Sequence, residues 1–195
     1  VEGWAGEGGA ELGTRRETPS TRDLYAVSRA LEDNHIDALL VIGGYSAYEG
    51  IHTMTTERDR YPAFRIPTVC IPASIDNNLP GSELSIGADT ALNVIVEAMD
   101  KIKESGIASR RCFVVETMGR DCGYLALMSG IAAGAERIYT NEDGISLDDL
   151  ANDVHWLRES FAHGRRLFLA VRNENASRNY TTDFIARLLE EESHG

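Results

Sequence analysis

Cysteine is scarce in this chain of 195 residues, and its three thiols do not suit a staple or a metal site. Cys70, Cys112 and Cys122 are odd in number, lie in apolar or glycine-rich surroundings, and show no CxxC or His-paired spacing. A disulfide framework is therefore not expected, and buried free thiols in a reducing compartment are. Long hydrophobic runs are missing as well. No stretch approaches the roughly 18 apolar residues of a membrane-spanning helix, so no membrane partner is expected. Basic side chains are the minority sign, 19 Lys and Arg against 31 Asp and Glu, for a formal charge of −12. Binding to a phosphate backbone draws its affinity from many basic contacts, so nucleic acid is not an expected partner. The five histidines, His35, His52, His155, His163 and His194, have no partner at metal-ligand spacing, and no metal is assigned from them. The opening residues lack Met, a basic segment and an apolar core, so no signal peptide is read there. The chain reads instead as the middle of a longer protein.

What is present describes an ordinary globular unit, 43% hydrophobic and 26% charged. Short apolar or β-branched runs recur at 38–42, 68–71, 112–116, 136–140 and 167–171, which suits strands buried on both faces. Helical patterns lie between them at 21–33, 90–105, 124–133, 147–163 and 182–192. On the second of these, Ala91, Leu92, Ile95, Ala98, Met99 and Ile102 share one face. Gly106 stands where a helix-ending glycine would, and Ser146 with Asp149 resembles a capping box. Alternating strands and helices predict an α/β fold, a doubly wound and mainly parallel sheet with helices on both faces, in one unit over residues 1–195. Trp4 and Trp156 read as packing residues.

In such sheets ligands bind in the loops that leave the carboxyl ends of strands. After the first strand, Gly43-Gly44-Tyr45-Ser46-Ala47 permits close backbone approach or simply a sharp turn. No GxGxxG or GxxxxGK[ST] pattern accompanies it. The loop at 72–81 sets Ser74, Asp76, Asn77 and Asn78 between prolines. Those groups could bond a polyhydroxylated ligand, with Asp76 as a base, or could tie off the loop's own backbone as an Asx-type turn. The loop at 116–123 brings Arg120 between two glycines at a helix entrance, where a phosphate would meet free N–H groups. Arg15, Arg16, Arg110, Arg111 and Arg120 all flank these loops in an otherwise acidic chain, which points to a phosphorylated small molecule.

Taken together, three ordered segments resemble the 6-phosphofructokinases. They are Ile71-Pro-Ala-Ser-Ile-Asp-Asn-Asn-Leu-Pro-Gly81, Ser85-Ile-Gly-Ala-Asp-Thr-Ala-Leu-Asn93 and Arg110-Arg-Cys-Phe-Val-Val-Glu-Thr-Met-Gly-Arg120. The segments at 3–16 and 171–184 are similar to the carboxy-terminal half of the duplicated, eukaryote-type enzyme. The resemblance covers nearly the whole chain and implies a phosphofructokinase-like unit incomplete at both ends. In that family the amino half keeps the kinase site, and the carboxy half has become a regulatory site, typically for fructose 2,6-bisphosphate. Carried over motif by motif, Arg16, Arg111 and Arg120 would contact phosphate or its surroundings. Ser74, Ile75, Asp76, Asn77 and Asn78 would line the sugar, Met118 and Gly119 would supply close backbone, and Glu174 would accept a sugar hydroxyl.

The departures matter most. Active members carry Gly-Gly-Asp-Gly-Ser after the first strand, where the Asp helps to hold Mg²⁺; Tyr45 and Ser46 stand in place of that Asp and Gly. A phenol does not replace a carboxylate as a hard-cation ligand. Asp76 and Arg120 pull the other way, because regulatory halves often carry Ser and Gly there. The expectation is a regulatory half without catalytic or metal-binding residues of its own, cytoplasmic, belonging to a glycolytic enzyme that uses ATP and Mg²⁺ elsewhere in its length. No cofactor is expected within this chain. Its expected partners are a sugar bisphosphate, the other half of the enzyme and other subunits. The alternatives are an active kinase domain with Asp76 as base, a nicotinamide-dependent dehydrogenase, and a structural half that binds nothing.

Overall fold

The computed structural model describes residues 17–193 together with Gly3, Gly6, Gly13 and Thr14. The chain forms two compact units, Val1–Ile71 and Pro72–Gly195.

In the first unit, helix α1 (Leu24–Asp33) leads to strand β1 (Leu39–Gly43), helix α2 (Tyr45–Thr56) and a single 3₁₀ turn, Pro62–Phe64. Strand β2 (Thr68–Pro72) joins β1 in a two-stranded sheet. Leu24, Leu31, Met54 and Phe64 form the core, with Val27, Leu39 and Ile51 packed against it. Helix α2 is absent from the sequence expectation, and its composition explains why. Three threonines crowd its second half, and β-branched residues are poor helix formers. Their hydroxyls are absorbed within the helix: Thr53, Thr55 and Thr56 each donate to the carbonyl four residues earlier, at 2.8–2.9 Å. The strands also differ from expectation. Leu40, Ile42 and Val69 are 60–63% exposed, so this sheet buries one face among the described residues rather than two.

The second unit is a three-stranded parallel sheet in the order β3 (Arg111–Thr117), β5 (Leu167–Asn173), β4 (Arg137–Tyr139). Alternate residues of the central β5 serve two cores. Leu169 and Val171 pack with Met99, Ala126 and Ala133 from helices α3 (Ala88–Ser109) and α4 (Tyr124–Ala133). Phe168 and Ala170 pack with Leu150, Leu157, Ile185 and Leu189 from α5 (Leu147–Ala162) and α6 (Thr182–Ser193). Helices on both faces of a parallel sheet are the expected α/β arrangement, and the period of two along β5 assigns each side chain to its layer. Burying Phe168 fully is worth about 2–3 kcal/mol. Trp156 lies 5.6 Å from the Phe168 ring, in a packing role.

Two local signals have different outcomes. Ser146 caps α5 as expected: its hydroxyl accepts from the Asp149 N–H, and the Asp149 carboxylate accepts from the Ser146 N–H. Gly106 does not end α3. The helix continues to Ser109 and closes at Arg110, whose φ of 56° is left-handed. Gly106 is buried because α3 approaches the sheet there; a Cβ would stand 2.6 Å from Leu167 Cδ1 and 2.8 Å from Phe113 Cε2.

A buried polar link ties α5 to β4. Asp153, 2% exposed, accepts from both Arg137 Nε and the Tyr139 hydroxyl, whose pKa burial pushes up to about 12. The three cysteines are free and half-buried, and burial pushes the Cys112 thiol up to about 11. Among the described residues, no helix is long and apolar enough to cross a membrane.

Two outcomes follow from this packing. Asp153→Ala leaves the buried Tyr139 hydroxyl without its acceptor and the part-exposed Arg137 without its carboxylate, and chemical denaturation should register a loss of about 1–3 kcal/mol. Burial favours the neutral thiol at Cys112, so a shift from 9.0 to about 11 leaves roughly a hundredfold less thiolate at pH 8. Iodoacetamide should therefore modify Cys112 about a hundredfold more slowly than an unburied thiol, and the rate should recover as pH rises toward 11.

Candidate ligand-binding site

The site is assembled in the second unit, where the loop at 73–87 meets the loops leaving β3 and β5. The first of these is held by its own side chains. The Asp76 N–H donates to Ser74 Oγ at 3.3 Å. Asn77, at φ 50°, uses its amide to donate to the Glu83 carbonyl and to accept from the Ser85 N–H at 2.8 Å. The self-bonded turn reading thus holds for Ser74 and Asn77. Asp76 is nearly buried and faces Arg120, with Nε 3.6 Å from Oδ2. Ile75 is 39% exposed, and the Asn78 side-chain oxygen is buried without a hydrogen bond among the described residues.

The loop after β3 turns through two left-handed residues, Gly119 at φ 139° and Arg120 at φ 50°. Only glycine fits at the first, since a Cβ would lie 2.4 Å from the Cys122 carbonyl oxygen and 2.7 Å from Asn173 Nδ2. Consecutive N–H groups in such a turn converge into a concavity that suits an anion. In this structure Glu174 Oε1 sits there, accepting from the Gly119 N–H at 3.2 Å and the Arg120 N–H at 2.7 Å. Glu174 therefore braces the loop with one carboxylate oxygen, a role the resemblance does not imply. Asn173 Nδ2 donates to the Cys122 carbonyl at 3.1 Å, and Cys122 Sγ lies 3.7 Å from the Asn77 carbonyl, joining the loops. The Met118 side chain is exposed.

Other expected residues lie apart. Arg111 opens β3, six residues before Thr117, so it stands roughly 20 Å away at the opposite end of the strand. Arg16 lies outside the described residues. Tyr45 belongs to the first unit, where it begins α2 and is 58% exposed. The next carboxylate along that helix, Glu49, accepts from the Thr18 hydroxyl at 3.2 Å. At position 45 the chain offers a phenol, which does not replace a carboxylate as a hard-cation ligand. Among the described residues there is also no cluster of three or more His, Cys, Asp or Glu that could hold a metal ion.

The phosphofructokinase family description matches residues 1–195. The chain belongs to the phosphofructokinase family. It is 46% identical over 196 residues to the platelet-type ATP-dependent 6-phosphofructokinase of Rattus norvegicus, covering all of this chain and 25% of that protein. It is 43% identical over 199 residues to the ATP-dependent 6-phosphofructokinase of Aspergillus fumigatus, covering 24% of it. Among solved structures, the phosphofructokinase of Saccharomyces cerevisiae superposes with a TM-score of 0.94 at 40% identity, over 99% of this chain and 26% of that one. The pyrophosphate-dependent phosphofructokinase of Marinobacter aquaeolei, at 21% identity and a TM-score of 0.70, shares the fold. This phosphofructokinase chain spans about a quarter of the length of the curated relatives it matches.

Sequence reasoning missed two supporting residues. Arg172 and Glu142 are absent from the expected site, although an arginine directly after the apolar run of β5 was a visible signal. Glu142 accepts from the Gly123 N–H with both carboxylate oxygens, at 2.9 and 3.0 Å, at the entrance of α4. Gly119→Ala should cost about 1–3 kcal/mol in unfolding free energy, measured by chemical denaturation, because the left-handed turn and the Cys122 carbonyl both oppose a Cβ.

Proposed function

We propose that this chain is the regulatory half of a cytoplasmic, ATP-dependent 6-phosphofructokinase and binds fructose 2,6-bisphosphate at the loops of its second unit. Phosphoryl transfer from ATP to fructose 6-phosphate takes place in the other half of the enzyme. The observation that carries this reading is Tyr45 at the start of α2, where active members place a magnesium-holding aspartate.

The site chemistry is consistent with a ligand rather than a reaction. Arg120 keeps more than half its side chain exposed beside the 119–120 amides and offers a planar fork to phosphate. Ser74, Ile75, Asp76, Asn77 and Asn78 form the adjoining wall for the sugar, and Met118 and Gly119 supply close backbone. Arg111 is too far to join its own chain's loops, so its phosphate contact belongs to a site on a neighbouring subunit. Arg16, outside the described residues, stays a phosphate contact on the strength of the family resemblance alone.

A second reading has one observation in its favour. Asp76 is a nearly buried carboxylate 3.6 Å from Arg120, an arrangement that an active domain could use as a base. The two readings part in the full-length polypeptide that carries this chain. Arg120→Ala should weaken activation by fructose 2,6-bisphosphate about tenfold or more, as expected for a charge-assisted contact. Asp76→Asn should leave the maximal rate of fructose 6-phosphate phosphorylation unchanged; a collapse of that rate would mean the domain is catalytic.

A further inference from the structure

We propose that Arg172 is a positioning residue that sets the bisphosphate loop through Glu174, an inference that rests on the ligand reading above. Arg172 is 2% exposed, near the end of the central strand. Its Nη1 donates to Glu116 Oε2 and to the Thr182 hydroxyl, each at 3.0 Å. The same Glu116 oxygen accepts from the Thr182 hydroxyl. Its Nη2 donates to the Ser177 carbonyl at 3.0 Å and the Glu174 carbonyl at 3.4 Å. A buried guanidinium is tolerated only while its partners stay in place, so it holds the 174–177 segment as firmly as the segment holds it.

The consequences pass along named bonds. Glu174 is fixed on both sides of its backbone, because its N–H donates to the Thr117 carbonyl at 2.9 Å while its carbonyl accepts from Arg172. Its carboxylate is thereby aimed at the Gly119 and Arg120 amides. Those bonds stabilise the left-handed turn that points Arg120 toward Asp76. The register supports this route: Glu116 and Arg172 are direct partners across β3 and β5, and so are Thr117 and Asn173 one step on. Asn173 secures the far side of the same loop at Cys122. A lysine at 172 has a single ammonium on a flexible stem, which cannot span a carboxylate, a hydroxyl and two carbonyls in one plane.

The test uses the full-length polypeptide and two readouts, hydrogen exchange over 117–123 and the dissociation constant for fructose 2,6-bisphosphate. Arg172→Lys and Glu174→Ala should each speed exchange in that loop, leave exchange over β5 unchanged, and weaken binding roughly ten- to a hundredfold. Wild-type exchange and wild-type affinity in Arg172→Lys would overturn the positioning role. Should Arg172→Lys not fold, Glu174→Ala decides by the same two readouts. Arg120→Ala separates the premise from the inference: unchanged affinity in that variant overturns the ligand reading, whatever the loop exchange in Arg172→Lys shows. Weakened affinity there, with wild-type loop exchange in both Arg172→Lys and Glu174→Ala, leaves the ligand reading standing and overturns the positioning role.

Discussion

The polar carboxyl end of β5 is the constraint on which the loop geometry depends. Five of the seven residues in that strand are apolar and four of them, 168–171, serve the two cores, but the last two are Arg172 and Asn173, each almost completely buried. Burying a charge and an amide at the end of an apolar strand is costly unless every partner is held. Their partners are the Glu116 side chain, the backbone at 174 and 177, and the Cys122 carbonyl, which together define where the loops after β3 and β5 run. Rigidity of the sheet is transmitted to the loops because the polar groups of β5 point into them.

Electrostatics in the site are local and nearly balanced. Arg120 faces Asp76, and Glu174 faces backbone amides rather than a cation. An acidic chain can therefore keep an exposed guanidinium over a short range without reversing its overall charge. In the turn after β3, the Glu174 carboxylate supplies internally the charge complement that the converging amides require.

Much of the architecture was legible because it rests on periodicity and local chemistry. The apolar run at 167–171, the helical patterns at 124–133 and 147–163, and the Ser146–Asp149 cap each depend on residues close in sequence. Helix α2 escaped because its threonines oppose helix formation locally and are satisfied only once the helix exists. Gly106 misled for the complementary reason. Its local setting resembles a helix end, whereas its absent side chain is required by Leu167 and Phe113, the first of them 61 positions away. In the site, the loops at 72–81 and 116–123 were identified by their glycines, prolines and clustered polar groups.

By itself, the sequence determined the α/β class, the central strands of the second unit, family membership and the departure at Tyr45, because all of these are carried by residue type, spacing and motif. Tertiary structure alone decided which residues share a site. It set Arg111 at the far end of β3 from Arg120, engaged Glu174 with the loop amides, and brought Arg172 under that loop. Strand register and the direction of each strand govern those separations, and they come from long-range pairing that no local pattern encodes.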